Sequence, residues 1–390
     1  MTVACAGGTA FAADRYWVAG SSYWDIPAAW STTPGGSGGA GMPANGDNAY
    51  IISSGSILVI RDNVTPSYVP PGPALVRLTG TGAGFVRLNQ STTAGTMAAS
   101  TLDVGYAGTA EYDHAGGTVV VGNLNVGAGG AGTGIYTIRD LAQSLTADVL
   151  TLGNNGNTFG TFNQFSGTVS TLGMTLGFNS AGAHGVYNFM DGFFVNTDLQ
   201  IADVGASTFS QTGGAGQSLQ VTIGTAGAGT MNISGGAFAS GESMQVGAVG
   251  TGPGSLNISG TGSYGSIGSL LVGALGRITQ SGGTFTASGS MTVNGGRFDY
   301  NAGTFRPASG TTINITGGGT VALNTGFYIL PDNTGYAITN GQLQLTGNNT
   351  FGGNGAASLL VSGSSASVVN TSGSTGVGLG TGGVGTATFA

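Results

Sequence analysis

Lysine is missing from this 390-residue sequence, and all eight basic residues are arginines. Charged residues of both signs make up only 6% of the chain, and the net charge is −7. Proteins that bind nucleic acid or anionic membranes need clustered Lys and Arg, so nucleic acid is excluded as a partner. Helix formers in periodic order are also missing, and we therefore expect helices to be scarce.

Cysteine and long apolar runs are equally scarce. Cys5 is the single cysteine, so no internal disulfide can form, and one thiol does not make a metal site. No run of 18 apolar residues predicts a transmembrane segment. Only 10 prolines accompany 79 glycines, without a Gly-X-Y period, which excludes collagen. Because 40% of the residues are hydrophobic, a disordered chain is not expected either.

The first residues have features of an export signal. An apolar stretch ends in Ala10-Phe11-Ala12, an A-x-A-like cleavage site, but no positively charged region precedes it. We predict a signal-peptide remnant over residues 1–13, the alternative being an ordinary apolar strand. Residues 14–50 are predicted to form an N-terminal cap, and residues 51–99 to form irregular first coils.

The sequence is rich in one internal repeat. A phrase of the form apolar–x–Val/Leu/Ile–Gly recurs between Gly105 and Gly273 with a mean spacing of about 24 residues. A degenerate copy at residues 199–205 ends at Gly205. The repeat glycines are Gly105, Gly127, Gly153, Gly177, Gly224, Gly247 and Gly273.

Each copy continues with two further short strands, the last centred on Val or Phe. This pattern predicts an all-β fold, a parallel β-helix (β-solenoid) with three short strands per ~24-residue coil, over residues 100–390. We expect the helix to be right-handed. Alternate residues of a strand face the interior, and the predicted core columns contain Val119, Val169, Phe238, Phe285, Phe305, Met231, Ile233, Leu256 and Ile258.

The last copy begins at Val377 and breaks off within the repeat. Terminal repeats normally need a polar cap. We therefore expect the solenoid to continue, or to bind a partner or a second copy through this end.

The tryptophans and the repeats together resemble bacterial surface proteins with autotransporter-associated β-strand repeats. Such repeats occur in autotransporter-like passengers and in proteins with a C-terminal PEP sorting signal (PEP-CTERM). The resemblance rests on Trp17, Trp24-Asp25, Trp30-Ser31 and Gly46-Asp47 leading to Ile51. It implies a secreted or outer-surface protein, from a Gram-negative bacterium, in which this segment opens the β-helix.

Acidic residues are candidates for catalysis, because β-helix lyases and hydrolases need converging carboxylates. The best group is Asp191, Asp198 and Asp203, for which we favour ordinary turn capping. A second group contains Glu111, Asp113 and His114, with His184 further along. The glycine-rich runs lack the Asp of calcium-binding repeats. We therefore expect no catalytic site, metal site or cofactor.

These observations favour a glycine-rich structural or adhesive β-helix, such as a stalk, an extracellular matrix component or an adhesin. Its partners would be a surface polysaccharide or the surface of a host or neighbouring cell. The alternatives are a carbohydrate-active β-helix enzyme and a self-stacking filament subunit. Trp17, Trp24, Trp30 and Asp47 are assigned to the cap that covers the first coil, rather than to an exposed carbohydrate platform.

Overall fold

The computed structural model describes residues 12–53, 57–60, 73–81, 85–90, 95–266, 268–309, 311–330, 334–351, 356–371, 375–377 and 384–389. These residues form a β-solenoid of about 12 turns built from stacked parallel strands. The fold predicted from the repeats is therefore confirmed. Cys5 and most of the predicted signal remnant lie outside the described residues. Within the described ranges, no helix is long and apolar enough to cross a membrane.

The strands follow one another along the whole described chain. The first seven, with one 3₁₀ turn at Pro27–Ala29, are β1 (Asp14–Trp17), β2 (Ser22–Tyr23), β3 (Trp30–Ser31), β4 (Asn48–Ser53), β5 (Ile57–Ile60), β6 (Leu75–Gly80) and β7 (Phe85–Gln90). The regular coils contain β8 (Thr96–Val104), β9 (Thr109–His114), β10 (Thr118–Ala128), β11 (Thr133–Ile138), β12 (Ser144–Asn154), β13 (Phe159–Gln164), β14 (Thr168–Phe178), β15 (His184–Phe189), β16 (Phe193–Ile201), β17 (Ser207–Gln211), β18 (Ala215–Ile223), β19 (Gly229–Ile233), β20 (Ala237–Val246), β21 (Gly254–Ile258), β22 (Ser263–Ser266), β23 (Ser269–Val272), β24 (Gly276–Ala287), β25 (Met291–Asn294) and β26 (Arg297–Pro307). The remaining strands are β27 (Thr312–Thr316), β28 (Thr320–Leu330), β29 (Thr334–Thr339), β30 (Gln342–Phe351), β31 (Ala356–Ser362), β32 (Ser367–Asn370), β33 (Thr375–Val377) and β34 (Val384–Phe389).

Each regular coil contributes to three sheet faces. We call them face A, built on residues 118–121 and their partners, face B, built on residues 123–126, and face C, built on residues 133–138. Faces A and B belong to one continuous strand in most coils, which differs from the three separate strands predicted. The corner is turned by a single residue without a ladder partner, Gly122 in β10, so the strand bends without ending.

The coils differ slightly in length. Thr118 pairs with Ser144, 26 residues on, whereas Thr284 pairs with Thr304, 20 residues on. The register nevertheless keeps each inward position above its equivalent. Most of the length differences lie in the turns, so the strand register is kept from coil to coil.

The interior is filled by columns of equivalent side chains. All nine residues predicted to face inward are at most 4% exposed. In face C, five rings stack parallel, with centroids 4.8–5.1 Å apart. They belong to Tyr112, Tyr136, Phe162, Tyr187 and Phe209. Met231 and Leu256 continue this column in the next two coils. The ring spacing equals the separation of neighbouring strands, about 4.8 Å, so stacking follows directly from the ladder.

The repeat glycines lie where face B turns toward face C. Six of them have a left-handed φ between 53° and 75°. At Gly105 a Cβ would also collide with the backbone of Thr133. Gly273 is different, since its φ is ordinary and a Cβ would instead meet the backbone of Ala248 and Gly247.

The degenerate copy contains one correction. Its left-handed corner residue is Ala202, at φ 65°, and not Gly205. Ala202 donates its N–H to the carbonyl of Leu176, as Gly224 does to that of Ile201 in the next coil. The missing glycine is therefore replaced by a buried alanine in an unfavourable conformation.

One interior column of face C mixes buried polar and apolar side chains, which the sequence analysis did not predict. Its polar members are Gln90, His114, Gln164, Gln211 and Gln280, all buried, and Ile138, Phe189, Ile233 and Ile258 occupy the same position in the coils between them. Gln164 donates from Nε2 to the carbonyls of Gly167 (3.0 Å) and Phe193 (2.9 Å), which closes the turn from face C to face A. In the sequence, a Gln or His two to three residues before a Gly turn indicates this position. The prediction of the corners relies on the glycines alone.

Candidate functional site

The three tryptophans are buried at the N-terminal end of the solenoid. Trp17, Trp24 and Trp30 are at most 5% exposed. The ring of Trp30 makes edge contacts with those of Trp17 (5.2 Å) and Trp24 (4.9 Å). Its Nε1 donates to the carbonyl of Trp24 at 2.9 Å. These rings present no exposed flat surface, so the arrangement favours a cap over a sugar-stacking platform.

Asp47 ties the same segment together. Its Oδ1 accepts the N–H of Ala13, and its Oδ2 accepts the N–H of Ala44, both at 2.9 Å. Strand β1 pairs in parallel with β4 and, on its other side, antiparallel with the short strand β3. The edge of the first coil is therefore covered by the chain itself, which protects it from pairing with other strands.

Most of the described arginines form ion pairs with carboxylates, and most of these pairs join neighbouring coils; Arg297–Asp299 instead lies within strand β26. The pairs shorter than 3 Å are Arg77–Asp103, Arg87–Glu111, Arg139–Asp113, Arg277–Asp299 and Arg297–Asp299. In each pair the carboxylate is the more buried partner. These acids are therefore neutralised between coils, and they do not project together into a cleft.

Partly exposed tyrosines near the N-terminus contact another aromatic ring or an arginine. The rings of Tyr16 and Tyr50 stack at 5.0 Å, and the guanidinium of Arg77 lies 3.5 Å from the ring centroid of Tyr106. These contacts along the solenoid axis cover at least one face of each ring, which reduces the ring surface available for stacking on a sugar.

The acidic group Asp191, Asp198 and Asp203 is not brought together. Asp191 lies in the turn before face A, Asp198 begins face B, and Asp203 follows face B. Asp191 accepts the N–H of Gly192 at 2.8 Å, which is ordinary turn capping. The three carboxylates occupy three different corners of one coil.

The second candidate group is divided by the strand itself. In β9, Glu111 and Asp113 face outward to their arginines, whereas His114 faces the interior. Its Nε2 lies 3.0 Å from the carbonyl of Gly117 and its Nδ1 3.0 Å from the hydroxyl of Tyr136. Burial lowers the pKa of His114 to about 4, so the ring is neutral near pH 7. His184 stacks on Phe159 at the surface, 4.9 Å between centroids.

Face A has no charged outward side chain between residues 118 and 286, and face C likewise has no Asp, Glu or Arg in its strands between residues 133 and 258. Over eight coils, from residue 118 to residue 286, the outward positions of face A alternate with the inward ones. They are occupied by Thr118, Val120, Ser144, Thr146, Thr168, Ser170, Phe193, Val195, Ala215, Gln217, Ala237, Ala239, Ser263, Gly265, Thr284 and Thr286. These side chains are mostly small and uncharged, so the surface is flat.

Both edges of face A carry exposed apolar side chains. Leu141 and Phe165 lie in the turns that enter face A, and Phe193 begins its fourth coil; they are 66%, 42% and 57% exposed. Leu172 and Leu219, at the corner with face B, are 62% and 44% exposed. A groove of about 300 Å³ lies beside them, lined by Val195, Asn196, Thr197, Gln217, Ser218, Leu219, Ala239 and Gly241.

No three His, Cys, Asp or Glu side chains among the described residues group so as to hold a metal ion. Comparison of the chain with protein-family models, with curated proteins and with solved structures finds no match.

Face A was not singled out by the sequence. In the sequence, face A corresponds to the uncharged residues that alternate with the inward residues of the Val- and Phe-centred strands. The sequence prediction concerns only the inward residues of those strands. The exposed residues at the edges of face A lie in turns, where hydrophobic periodicity gives no information.

Proposed function

We propose that this protein is a secreted or cell-surface β-helix with a structural and adhesive role, in which face A is the contact surface. The observation that supports this role most directly is the division of the surface. Four carboxylates pair with arginines of neighbouring coils, whereas the outward positions of face A are uncharged over eight coils and its edges carry exposed apolar side chains. Contiguous exposed apolar surface marks interaction sites in soluble proteins.

The solenoid suits a stalk or matrix component. Each coil is held by the coils above and below it, so the distance between the two ends is fixed by the number of coils. The partners we propose are a surface polysaccharide of the cell or the surface of a neighbouring or host cell. The repeats and the opening Trp and Gly-Asp residues, which resemble surface proteins, support this location.

Two measurements test the proposal. Antibodies against the purified protein should label intact cells of the source organism as strongly as permeabilised ones. Beads coated with the protein should attach to those cells, and Phe193→Asp, which adds a charge to face A, should reduce attachment several-fold. Leu275→Asp is the matched control, because Leu275 is 47% exposed in a turn between faces B and C. Labelling only after permeabilisation, or equal attachment by both variants, would refute the proposal.

A further inference from the structure

We infer that Asn45, at the tip of the turn that joins the N-terminal cap to strand β4, is a self-modification site that converts to aspartate and isoaspartate with time. The reaction consumes only water and releases ammonia. It does not depend on where the protein is located or on what it adheres to.

The sequence supplies several candidates for this reaction. An asparagine followed by glycine reacts most readily, because glycine has no side chain to shield the attacking backbone nitrogen. Four such pairs lie in the described residues, and a fifth, at Asn354, lies outside them. The four begin at Asn45, Asn155, Asn294 and Asn340, and all four asparagines are exposed. Sequence and exposure therefore do not distinguish these pairs, whereas their hydrogen bonds do.

The carboxamide of Asn155 is held by two hydrogen bonds. Its Oδ1 accepts a hydrogen bond from Nδ2 of Asn179 in the next coil at 2.8 Å, and its own Nδ2 donates to Oδ1 of Asn154 at 2.6 Å. The reacting carbon of Asn155 can turn toward the backbone nitrogen of the next residue only after these bonds break. Conversion at this position should therefore be slow in the folded chain.

The pairs at Asn294 and Asn340 are also restrained. After Asn294, the attacking group is engaged, because the N–H of Gly295 donates to the carbonyl of Thr316 at 3.0 Å. At Asn340 the carboxamide is engaged, since its Oδ1 accepts the hydroxyl of Ser365 at 3.3 Å. Each pair thus has one reacting group that must first give up a hydrogen bond.

Asn45 has neither restraint. Among the described residues, its carboxamide makes no hydrogen bond, and the N–H of Gly46 donates to none. The two residues are the centre of a β-turn, which the N–H of Asp47 closes by donating to the carbonyl of Ala44 at 3.1 Å. Gly46 has a φ of 83°, as the third residue of a type II turn requires. Both reacting groups therefore lie at the tip of a turn without a hydrogen bond to break.

The reaction has two steps. The backbone nitrogen of Gly46 bonds to Cγ of Asn45, and the carboxamide nitrogen leaves as ammonia with the proton from the Gly46 N–H. Water then adds to one of the two carbonyl carbons of the resulting five-membered succinimide and opens the ring. Opening at Cγ gives aspartate. Opening at the backbone carbonyl carbon gives isoaspartate, in which the chain runs through Cβ and Cγ.

Both products weaken the contacts that Asp47 makes with the cap. The carboxylate of Asp47 accepts the N–H groups of Ala13 and Ala44, both at 2.9 Å. Each product places a new carboxylate two residues from Asp47, and isoaspartate also adds one backbone atom to the turn that Asp47 closes. We therefore expect the cap to loosen as the chain ages and to cover the edge of the first coil less well.

Peptide mapping by mass spectrometry, after incubation of the full chain in mildly alkaline buffer, tests the modification. In the folded chain, Asn45 should convert several-fold faster than Asn155, the best comparator because a β-branched residue precedes neither of them. In urea the two should convert at similar rates. Asn179→Gly suits the left-handed φ of 66° at that position, and it should speed conversion of Asn155 in the folded chain.

Three results would overturn the inference. One is equal conversion of Asn45 and Asn155 in the folded chain. The second is a lead of Asn45 that persists in urea, since the fold would then not determine the order. The third is a folded Asn179→Gly variant in which Asn155 reacts no faster, because hydrogen bonds of the carboxamide would then not control the rate.

The effect on the cap has its own test, because tryptophan fluorescence reports on the cap alone. The fluorescence transition of the aged wild-type chain should come at lower urea than that of the fresh chain. Asn45→Gln, whose longer side chain reacts far more slowly, should show no change on ageing. Fresh Asn45→Asp, which has the new charge without the added backbone atom, should shift less than the aged wild-type chain. Equal transitions in fresh and aged wild-type chains, once Asn45 has converted, would refute the loosening of the cap.

Discussion

The N-terminal end and the regular coils are stabilised in different ways. In the coils, almost every inward residue has an equivalent directly above and below it, as Phe285 has in Tyr264 and Phe305. At the N-terminal end, Trp17 pairs with Trp30 of an antiparallel strand, and Trp17, Trp24 and Trp30 pack against one another. In the coils, the residues at equivalent positions of other coils therefore show which side chains each position tolerates. The cap occurs once in the chain and offers no such comparison.

The largest effect is expected from a charge in a core column. Phe285 is fully buried, with Phe298 and Phe305 at 5.5 Å between ring centroids. Phe285→Asp leaves an unpaired carboxylate in an apolar interior and should lower the free energy of unfolding by about 5 kcal/mol. Thr286→Asp, on the adjacent outward position, is the control and should change it by less than about 1 kcal/mol. Urea unfolding followed by circular dichroism measures both, and similar values for the two variants would refute the inward assignment.

A slightly smaller effect is expected in the cap. Trp30 is fully buried between two other indoles, so Trp30→Ala should cost about 4 kcal/mol through lost burial and a cavity. Because the tryptophans all lie in the cap, their fluorescence reports on the cap, whereas circular dichroism reports mainly on the coils. The fluorescence transition of this variant should come at lower urea than the circular dichroism transition.

Tyr23→Ala is the matched control for the cap, since Tyr23 is 41% exposed. It should shift neither transition appreciably. Coincident transitions in Trp30→Ala would show that cap and coils unfold as one cooperative unit, which contradicts the distinction between them.

His114 provides a prediction on pH. Its pKa is about 4 in the folded chain, because of burial, and 6.5 without that burial. The unfolded chain thus binds a proton at a higher pH than the folded chain does. Stability should fall as the pH decreases from about 6.5 to about 4, by about 3 kcal/mol from this residue.

The column that contains His114 supplies the control. Gln90 and Gln164 occupy the same position and accept the hydroxyl of Tyr112 and Tyr187 at 2.6 Å. His114→Gln should therefore fold and should remove most of this pH dependence, whereas His184→Gln at the surface should not. An unchanged pH profile in His114→Gln would show that His114 titrates normally in the folded chain.

The fold could be predicted from the sequence because the repeats have the length and the alternation of β-solenoid coils. Alternation in segments such as 229–233 determines which side faces inward, and the glycines mark the corners. The role of Gln164 was overlooked, since a buried amide gives no hydrophobic signal and its partners belong to the next turn and the next coil. Face A could not be predicted from residue types alone, since Ser, Thr and Ala alternating with apolar residues are typical of any half-buried strand.

Two of these buried glutamines reveal a limit of the coil-to-coil equivalence. Among the residues that the structure describes, the Oε1 atoms of Gln211 and Gln280 find no hydrogen-bond partner. The residues above them, where Gln164 has Tyr187, are Met231 and Phe298, which carry no hydroxyl. The residues of one column thus show which side chain fits that position. Whether a glutamine there finds a hydrogen-bond partner for its Oε1 depends on the residue in the neighbouring column.

The smallest expected effect is a gain, at the corner where the repeat lost its glycine. Ala202 is buried at φ 65°, a conformation that costs an L-residue about 1–2 kcal/mol. Ala202→Gly removes this strain but adds backbone entropy to the unfolded chain, so the net stabilisation should be about 0.5 kcal/mol. Ala206→Gly, four residues on and outside the left-handed region, should instead be neutral or destabilising. Thermal unfolding of the two variants measures the difference. If Ala202→Gly were the less stable of the two, burial of the Ala202 methyl group would contribute more to stability than the backbone strain costs. The preference for glycine at the other corners would then not apply to this coil.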